Sequence, residues 1–484
     1  MKILFVVSEC VPFVKSGGLA DVAEALPKEI AALGADIRVI LPKYGAIAHE
    51  HQMKMRKIAE FNVMVGWRNQ YCGIEEIKYD GITYYFVDNE YYFKQDRLYG
   101  YSDDSERFAF FNRAVLESLP YIHFYPQIIH CHDWHTGMIP FLLKAEYQSK
   151  RNYESIRTLF TIHNLQFQGI MPKETLGDLF GLSDKYFHHD QLEFFGQINF
   201  MKGALVAADK ITTVSPSYKN EIQTEYFGER LHGLLQKRAA DLEGILNGIN
   251  TNLYDPQMDH AITKRYGVGE LEKKRENKLK LQERFGLPKN RETPVIALIS
   301  RLTSQKGIEL IQCVFQELMA EDLQFIILGT GNDMFEQFFR EMEVAYPRKC
   351  RAYIGFDEEL AHQIYAGADL FLMPSKFEPC GLGQMIAMRY GAVPIVRETG
   401  GLNDTVTPFN EQTGEGNGFS FRDFNAHDML FTIERALSFY RDEKCFQTIV
   451  KNAMEVDYSW AISALQYYNL YSLLISRSEQ YVFE

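Results

Sequence analysis

Two cations, Arg301 and Lys306, share the loop Ser300-Arg301-Leu302-Thr303-Ser304-Gln305-Lys306-Gly307, between an apolar run and a helical pattern. An open α/β sheet binds its ligand at such a strand end. An Arg and a Lys beside a helix N-terminus can neutralise a diphosphate and stabilise the charge that develops as it leaves. A surface loop carries the same residue types for solubility, so the neighbours decide between the two readings. The loop lacks the Gly-x-x-x-x-Gly-Lys-Ser/Thr order and is not a P-loop.

Glu378 stands in Phe377-Glu378-Pro379-Cys380-Gly381-Leu382-Gly383-Gln384, after a second apolar run. A carboxylate beside a phosphate-accepting helix end is unfavourable unless it hydrogen-bonds something neutral, and sugar hydroxyls meet that need. The alternative is a carboxylate that stabilises the helix dipole by ~0.3–1 kcal/mol. Cys380 at a helix start invites a nucleophile reading, but no His stands beside it. In His130-Cys131-His132-Asp133-Trp134-His135, His130 and His132 share a face if the strand continues. Zinc sites usually draw on a distant second pair, so the rim of an active site is the simpler reading. Thr161-Ile162-His163-Asn164-Leu165 ends the next strand, which puts His163 and Asn164 at the same carboxyl edge, with a purely structural His as the alternative.

The elements that must position these residues are short apolar runs alternating with helical patterns, the signature of parallel sheets wound with helices. Strands are predicted at 2–7, 37–41, 83–87, 127–131, 158–162 and 210–214, then at 294–300, 324–328, 351–354 and 369–373. A helix follows the first strand over about 19–33, and helices at 427–440 and 460–476 close the chain. The turn Lys15-Ser16-Gly17-Gly18-Leu19-Ala20-Asp21-Val22 returns as Thr399-Gly400-Gly401-Leu402-Asn403-Asp404-Thr405-Val406, each after a strand. Glycine pairs there let a ligand approach the backbone, or simply make a tight turn. The repeat predicts two α/β domains, each presenting a glycine loop to a shared cleft. The charged segment 264–284 marks the second domain's start, with a hinge just before it.

A chain of 484 residues suggests two or three domains. Its formal net charge of -13 argues against nucleic acid as a partner. Five apolar residues before Ser8-Glu9 are too few for a secretory signal, and no apolar run reaches the ~18 residues of a membrane span. The expectation is a cytoplasmic protein. Seven cysteines without a Cys-x-x-Cys pair fit reduced thiols.

Together the two glycine turns, His132-Asp133-Trp134-His135, His163-Asn164, the Arg301–Lys306 loop and Glu378-Pro379-Cys380-Gly381-Leu382 closely resemble the bacterial glycogen synthases, the glycosyltransferase group that also contains plant starch synthases. The resemblance runs in order over essentially the whole chain and includes Leu246-Asn247-Gly248. It implies the α/β GT-B fold, two Rossmann-like domains facing across a deep interdomain cleft. Residues 1–245 form the acceptor-side domain, 246–459 the nucleotide-sugar domain, and 460–484 cross back onto the first. The implied reaction transfers glucose from ADP-glucose to the non-reducing 4-OH of an α-1,4-glucan, retaining the anomer, with no cofactor and no metal.

By the same resemblance, His163, Arg301, Lys306, Glu378 and Asp133 are catalytic, and Tyr99 lies on the acceptor side. Lys15, Gly17, Gly18, Asp21, Asn164, Asn247, Phe356, Cys380, Gly381, Leu382 and Gly383 form the donor-binding set, with Phe356 stacking on adenine. Arg301 and Lys306 would hold the diphosphate, Glu378 the glucose hydroxyls, and His163 the glucose O6. Two positions depart from the pattern. Many relatives carry a second glutamate where this chain has Ile386, and often a threonine where it has Gly383. Double displacement would need a second carboxylate roughly 5–5.5 Å from the first. The matched motifs offer none, which favours front-face attack. A related enzyme using UDP-glucose and a non-catalytic glucan-binding protein are the competing readings. A nicotinamide dehydrogenase would need Gly-x-Gly-x-x-Gly after its first strand, where this chain has Ser8-Glu9-Cys10-Val11-Pro12. Oligomeric state is not legible.

Overall fold

The computed structural model describes residues 1–480. Among them the chain divides into two compact units. Unit 1 comprises Met1–Val214, Lys219–Leu246 and the segment from Trp460, and unit 2 comprises Ser215–Tyr218 and Asn247–Ser459. Residues 481–484, the end of the segment expected to cross back, lie outside the described residues.

The main sheet of unit 1 runs Leu242–Gly244, Lys210–Thr213, Arg157–Ile162, Ile128–His132, Lys2–Val6, Asp36–Pro42, Ile82–Asp88, Arg68–Tyr79 and Arg56–Val65. The first seven pair in parallel. They read as continuous apolar runs because helices cover both faces of such a sheet; Ile3, Leu4, Phe5 and Val6 are all fully buried. Lys2–Val6 lies between Asp36–Pro42 and Ile128–His132, so the order reverses beside it. That reversal is a topological switch point, where the carboxyl ends of neighbouring strands open a crevice.

The hairpin Arg56–Val65/Arg68–Tyr79 is antiparallel and was not predicted. Its strands carry Lys, Arg, Glu and Asn between apolar residues, so one face is solvated. Phe61, Val63 and Val65 are buried while their neighbours are exposed, an alternation of period two rather than an apolar run. Unit 1 closes with the helix Trp460–Gln480, which packs on the helix Gly18–Ala32.

Unit 2 holds a parallel sheet in the order Cys350–Ile354, Gln324–Gly329, Val295–Ile299, Leu370–Met373, Val393–Arg397 and Phe419–Phe421. In chain order this is 3-2-1-4-5-6, the Rossmann arrangement, with its switch point between Val295–Ile299 and Leu370–Met373. The α/β architecture built twice is therefore what the chain adopts.

The charged segment 264–284 contains the helix Leu271–Arg284, one side of which is packed. Lys274, Asn277, Lys278, Leu281 and Gln282 are buried, and the Lys278 ammonium pairs with Asp369 at 2.7 Å. Unit 2 begins ahead of it at Asn247, where Ile249 N–H donates to the Tyr458 carbonyl at 2.8 Å. Residues 215–218 also belong to unit 2 rather than to the first domain. Ser215 Oγ donates to the Pro379 carbonyl at 2.7 Å and Ser217 Oγ to Asp404 at 2.6 Å. Among the described residues no helix is long and apolar enough to cross a membrane.

Candidate active site

In unit 2 the loops after the two strands flanking the switch point carry Arg301 and Lys306 on one side and Glu378 on the other. Lys306 Nζ donates to Glu378 Oε2 at 2.5 Å, and Ser375 Oγ donates to the same oxygen at 3.0 Å. Glu378 is only 6% exposed, so its charge is tolerable because Lys306 neutralises it. An ammonium has three N–H groups, and one bond to Glu378 leaves two for an anion. Arg301 is exposed at the mouth of the same loop. Gly307 has φ +70, and a Cβ there would lie 2.0 Å from the Pro374 carbonyl oxygen. That glycine lets the cationic loop close onto the end of the strand Leu370–Met373.

The second glycine turn is packed against the Glu378 loop. Gly400 and Gly401 are buried, and the Gly401 N–H donates to the Glu378 carbonyl at 3.1 Å. A Cβ on Gly400 would meet the Glu378 carbonyl oxygen at 1.9 Å, and one on Gly401 the Cys380 carbonyl oxygen at 2.1 Å. These glycines hold the Glu378 loop through its backbone. Cys380 is buried and its thiol is pushed up to about 12 by burial, which removes the nucleophile reading. Gly381 takes φ +72 just ahead of the helix Gly383–Arg389. A Cβ on Gly383 would sit 3.3 Å from the Phe371 ring, tighter than an ordinary contact. Ile386 is buried apolar surface. Asn247 is buried with its Oδ1 unpartnered among the described residues. Phe356 is 78% exposed beyond the strand Cys350–Ile354. Two strand spacings, about 10 Å, separate that strand from Val295–Ile299.

In unit 1 Asp133 follows the strand Ile128–His132 at φ 55, uncommon for a residue with a Cβ. Its Oδ1 accepts from the His163 N–H at 2.8 Å and the Asn164 N–H at 3.4 Å. Burial pushes the Asp133 carboxyl up to about 7, opposed by those two backbone donors. His163 Nε2 lies 2.9 Å from His132 Nδ1, and burial drives His163 down to about 3. His130 Nδ1 lies 2.7 Å from the Tyr471 hydroxyl and its Nε2 2.6 Å from Thr161 Oγ1. Both ring nitrogens of His130 are thus taken up by hydrogen bonds. Among the described residues the group geometrically able to hold an ion is His188, His189 and Asp190, all exposed.

Tyr99 donates to Ser8 Oγ at 2.8 Å, and its ring lies 4.3 Å from that of His135. Lys15 is exposed and pairs with Asp21 at 2.7 Å. Gly17 is extended at φ -157, and a Cβ on Gly18 would meet nothing within 4 Å. Nothing described in unit 1 requires glycine at either position.

Three groups escaped sequence reasoning. Glu9 is buried behind the first glycine loop, where its carboxylate accepts from Ser16 N–H and burial pushes it up. Ser375 orients Glu378. Gly329 and Gly331 let the turn after Gln324–Gly329 lie against the Arg301 loop; Cβ atoms there would meet the Ser300 and Leu302 carbonyl oxygens at 1.9 and 2.4 Å. The Gly-Thr-Gly run directly after a strand was the available signal for the last.

Residues 2–237 match the starch synthase catalytic domain, and residues 280–453 match glycosyl transferases group 1. The chain is 64% identical over 484 residues to a glycogen synthase of Anoxybacillus flavithermus, covering 100% of both chains. It is 62% identical over 479 residues to a glycogen synthase of Geobacillus stearothermophilus, covering 99% of each. Its structure is similar to the catalytic domain of starch synthase IV from Arabidopsis thaliana, solved with ADP and acarbose (TM-score 0.91, 34% identity, 98% of this chain and 99% of that one). The likeness to a sucrose-phosphate synthase from Thermosynechococcus elongatus, at 17% identity and TM-score 0.63, concerns the fold alone.

Proposed function

The chain belongs to the glycogen and starch synthase family of glycosyltransferases, and from that premise we propose how its residues move glucose from ADP-glucose to the 4-OH of an α-1,4-glucan. One observation carries the assignment of roles. The Rossmann switch point of unit 2 holds a neutralised carboxylate, Lys306 bonded to Glu378, with a second cation, Arg301, earlier on the same loop.

The donor's diphosphate binds Arg301 and the two remaining Lys306 N–H groups, helped by backbone N–H groups around Cys380-Gly381-Leu382-Gly383. Glu378 Oε1, which shares no bond with Lys306 or Ser375, receives glucose hydroxyls. Phe356 offers its exposed face to adenine. By likeness to the family, His163 serves the glucosyl group, Asp133 anchors the 163–164 turn, and Tyr99 lies on the acceptor side. Gly17 and Gly18, needed by nothing inside unit 1, leave the backbone bare where the donor comes close.

The bond from the anomeric carbon to the departing phosphate oxygen breaks as the bond to the acceptor oxygen forms on the same face. The acceptor proton passes to the departing phosphate, whose growing charge Arg301 and Lys306 stabilise. A double displacement would need a second carboxylate roughly 5–5.5 Å from the first, and the matched motifs offer none to pair with Glu378. The test is transfer of radiolabelled glucose onto glycogen from ADP-glucose and UDP-glucose in parallel. ADP-glucose should give the higher kcat/KM, and Phe356→Ala should narrow the preference. Equal or better use of UDP-glucose by the parent would overturn the donor assignment.

A further inference from the structure

His132 is fully buried, with its ring 4.1 Å from Phe5 and 4.0 Å from His130 between ring centroids. Both neighbours are themselves fixed, Phe5 in the central strand and His130 by Tyr471 and Thr161. Thr161 in turn bonds Thr212 at 2.6 Å. Among the described residues, the one hydrogen bond that His132 makes from its ring goes to His163, between Nδ1 and Nε2 at 2.9 Å. Only one hydrogen can occupy that line.

Its owner follows from the other end of the His132 ring. Nε2 of His132 is buried and has no partner among the described residues. If His163 donated, a neutral His132 would carry its hydrogen on Nε2, as an orphaned buried N–H, which is the rarer and costlier defect. With the hydrogen on His132 Nδ1 the orphan is only a lone pair beside two aromatic rings. Burial holds both imidazoles neutral, driving His132 well below its usual range and His163 to about 3. A neutral His163 that accepts at Nε2 must then carry its hydrogen on Nδ1.

We propose that His132 is a positioning residue for the glucosyl transfer: its Nδ1–H holds the His163 ring in the Nδ1–H tautomer, so that His163 presents a donor, not a lone pair, to a sugar hydroxyl. The inference rests on His163 contacting substrate. Asp133 fixes the backbone N–H of His163 and His132 fixes its ring, so the end of the strand Ile128–His132 defines the place and tautomer of a side chain on the adjacent strand's loop.

His132→Phe keeps a ring in the pocket and deletes the bond; kcat should fall roughly 10–100-fold, the range found for hydrogen-bond partners behind metal-ligating histidines. His132→Asn can place an amide N–H near the lost Nδ1–H and should recover activity to within about threefold of the parent. In a His163→Ala background, His132→Phe should cost less than about twofold more, because the residue it acts through is gone. An equal cost in both backgrounds overturns the proposal. Parent-like activity of His163→Ala would instead remove the substrate contact on which the inference rests, and the inference with it. Histidine 15N shifts of the intact enzyme read the tautomer without any variant. A protonated Nδ1 on His163 supports the assignment, and a protonated Nε2 refutes it.

Discussion

At the scale of single residues, Lys306 and Arg301 serve one anion in different surroundings. Arg301 is exposed, so Arg301→Ala should leave the melting temperature unchanged while kcat falls ~10²–10³-fold, the usual loss of one preorganised charge-stabilising donor. Lys306→Ala should lose comparable turnover and also stability, because it strands the Glu378 carboxylate in a site 6% exposed. A folded Arg301→Ala enzyme within a few-fold of the parent would remove that residue from the mechanism. Asp133 makes a prediction in pH. Its carboxyl titrates near 3.8 when unfolded and at about 7 in the folded protein. Between these values the folded state keeps a proton that the unfolded state has lost, so Asp133's contribution to stability falls as pH rises through the window. Asp133→Asn can still accept from the His163 N–H. It should flatten that dependence and raise the melting temperature at pH 8 relative to the parent; an unchanged difference between pH 5 and pH 8 would refute it.

At the scale of elements, the two glycine turns have the same sequence pattern and opposite duties. Gly18 opens the helix Gly18–Ala32 with empty space at its Cβ position. Gly18→Ala should therefore fold normally, with stability unchanged or raised by up to ~1 kcal/mol, while donor KM rises or turnover drops. Gly400 has φ +46 and a carbonyl oxygen 1.9 Å from where a Cβ would go. Gly400→Ala should lose at least ~1–3 kcal/mol through backbone strain alone and displace Glu378 with it. Thermal melts and donor kinetics on the two variants separate the duties; a destabilised Gly18→Ala or an indifferent Gly400→Ala would reverse the assignment. Local sequence could not separate them, because both copies follow a strand and open a helix.

For the whole molecule, unit 1 is completed by its last segment. Ser463 on the helix Trp460–Gln480 donates to the Leu246 carbonyl, and Tyr471 bonds His130, a residue 341 positions away. Tyr471→Phe should lower stability by ~1–3 kcal/mol by leaving a buried His130 nitrogen unpaired; an unchanged melting temperature would show that the bond carries no weight. Chemistry by cation-stabilised departure of phosphate also predicts that a chelator leaves initial rates unchanged. Loss of activity restored by magnesium or manganese would refute that, and would direct attention first to Asp103 and Asp104.

What the sequence determined by itself was everything encoded at short range. Apolar runs such as Ile3–Val6 and Val295–Ile299 marked strands, because a sheet covered on both faces buries every side chain. Arg301, Lys306, Glu378, Asp133 and His163 stood out as candidates because strand-end loops keep chemistry-bearing residues together in sequence. The order of these motifs along the chain was enough to place it in its family. Tertiary structure alone decided what lies across the chain. Lys306 meets Glu378 over 72 positions and His132 meets His163 over 31, and no local pattern announces either pair. The same holds for the buried lysines of Leu271–Arg284 and the inward-facing Gly400-Gly401 turn, whereas the hairpin at 56–79 did carry a local alternation of period two. A residue's charge, tautomer and freedom depend on which groups surround it, and those neighbours come from strands brought side by side only when the sheet is assembled.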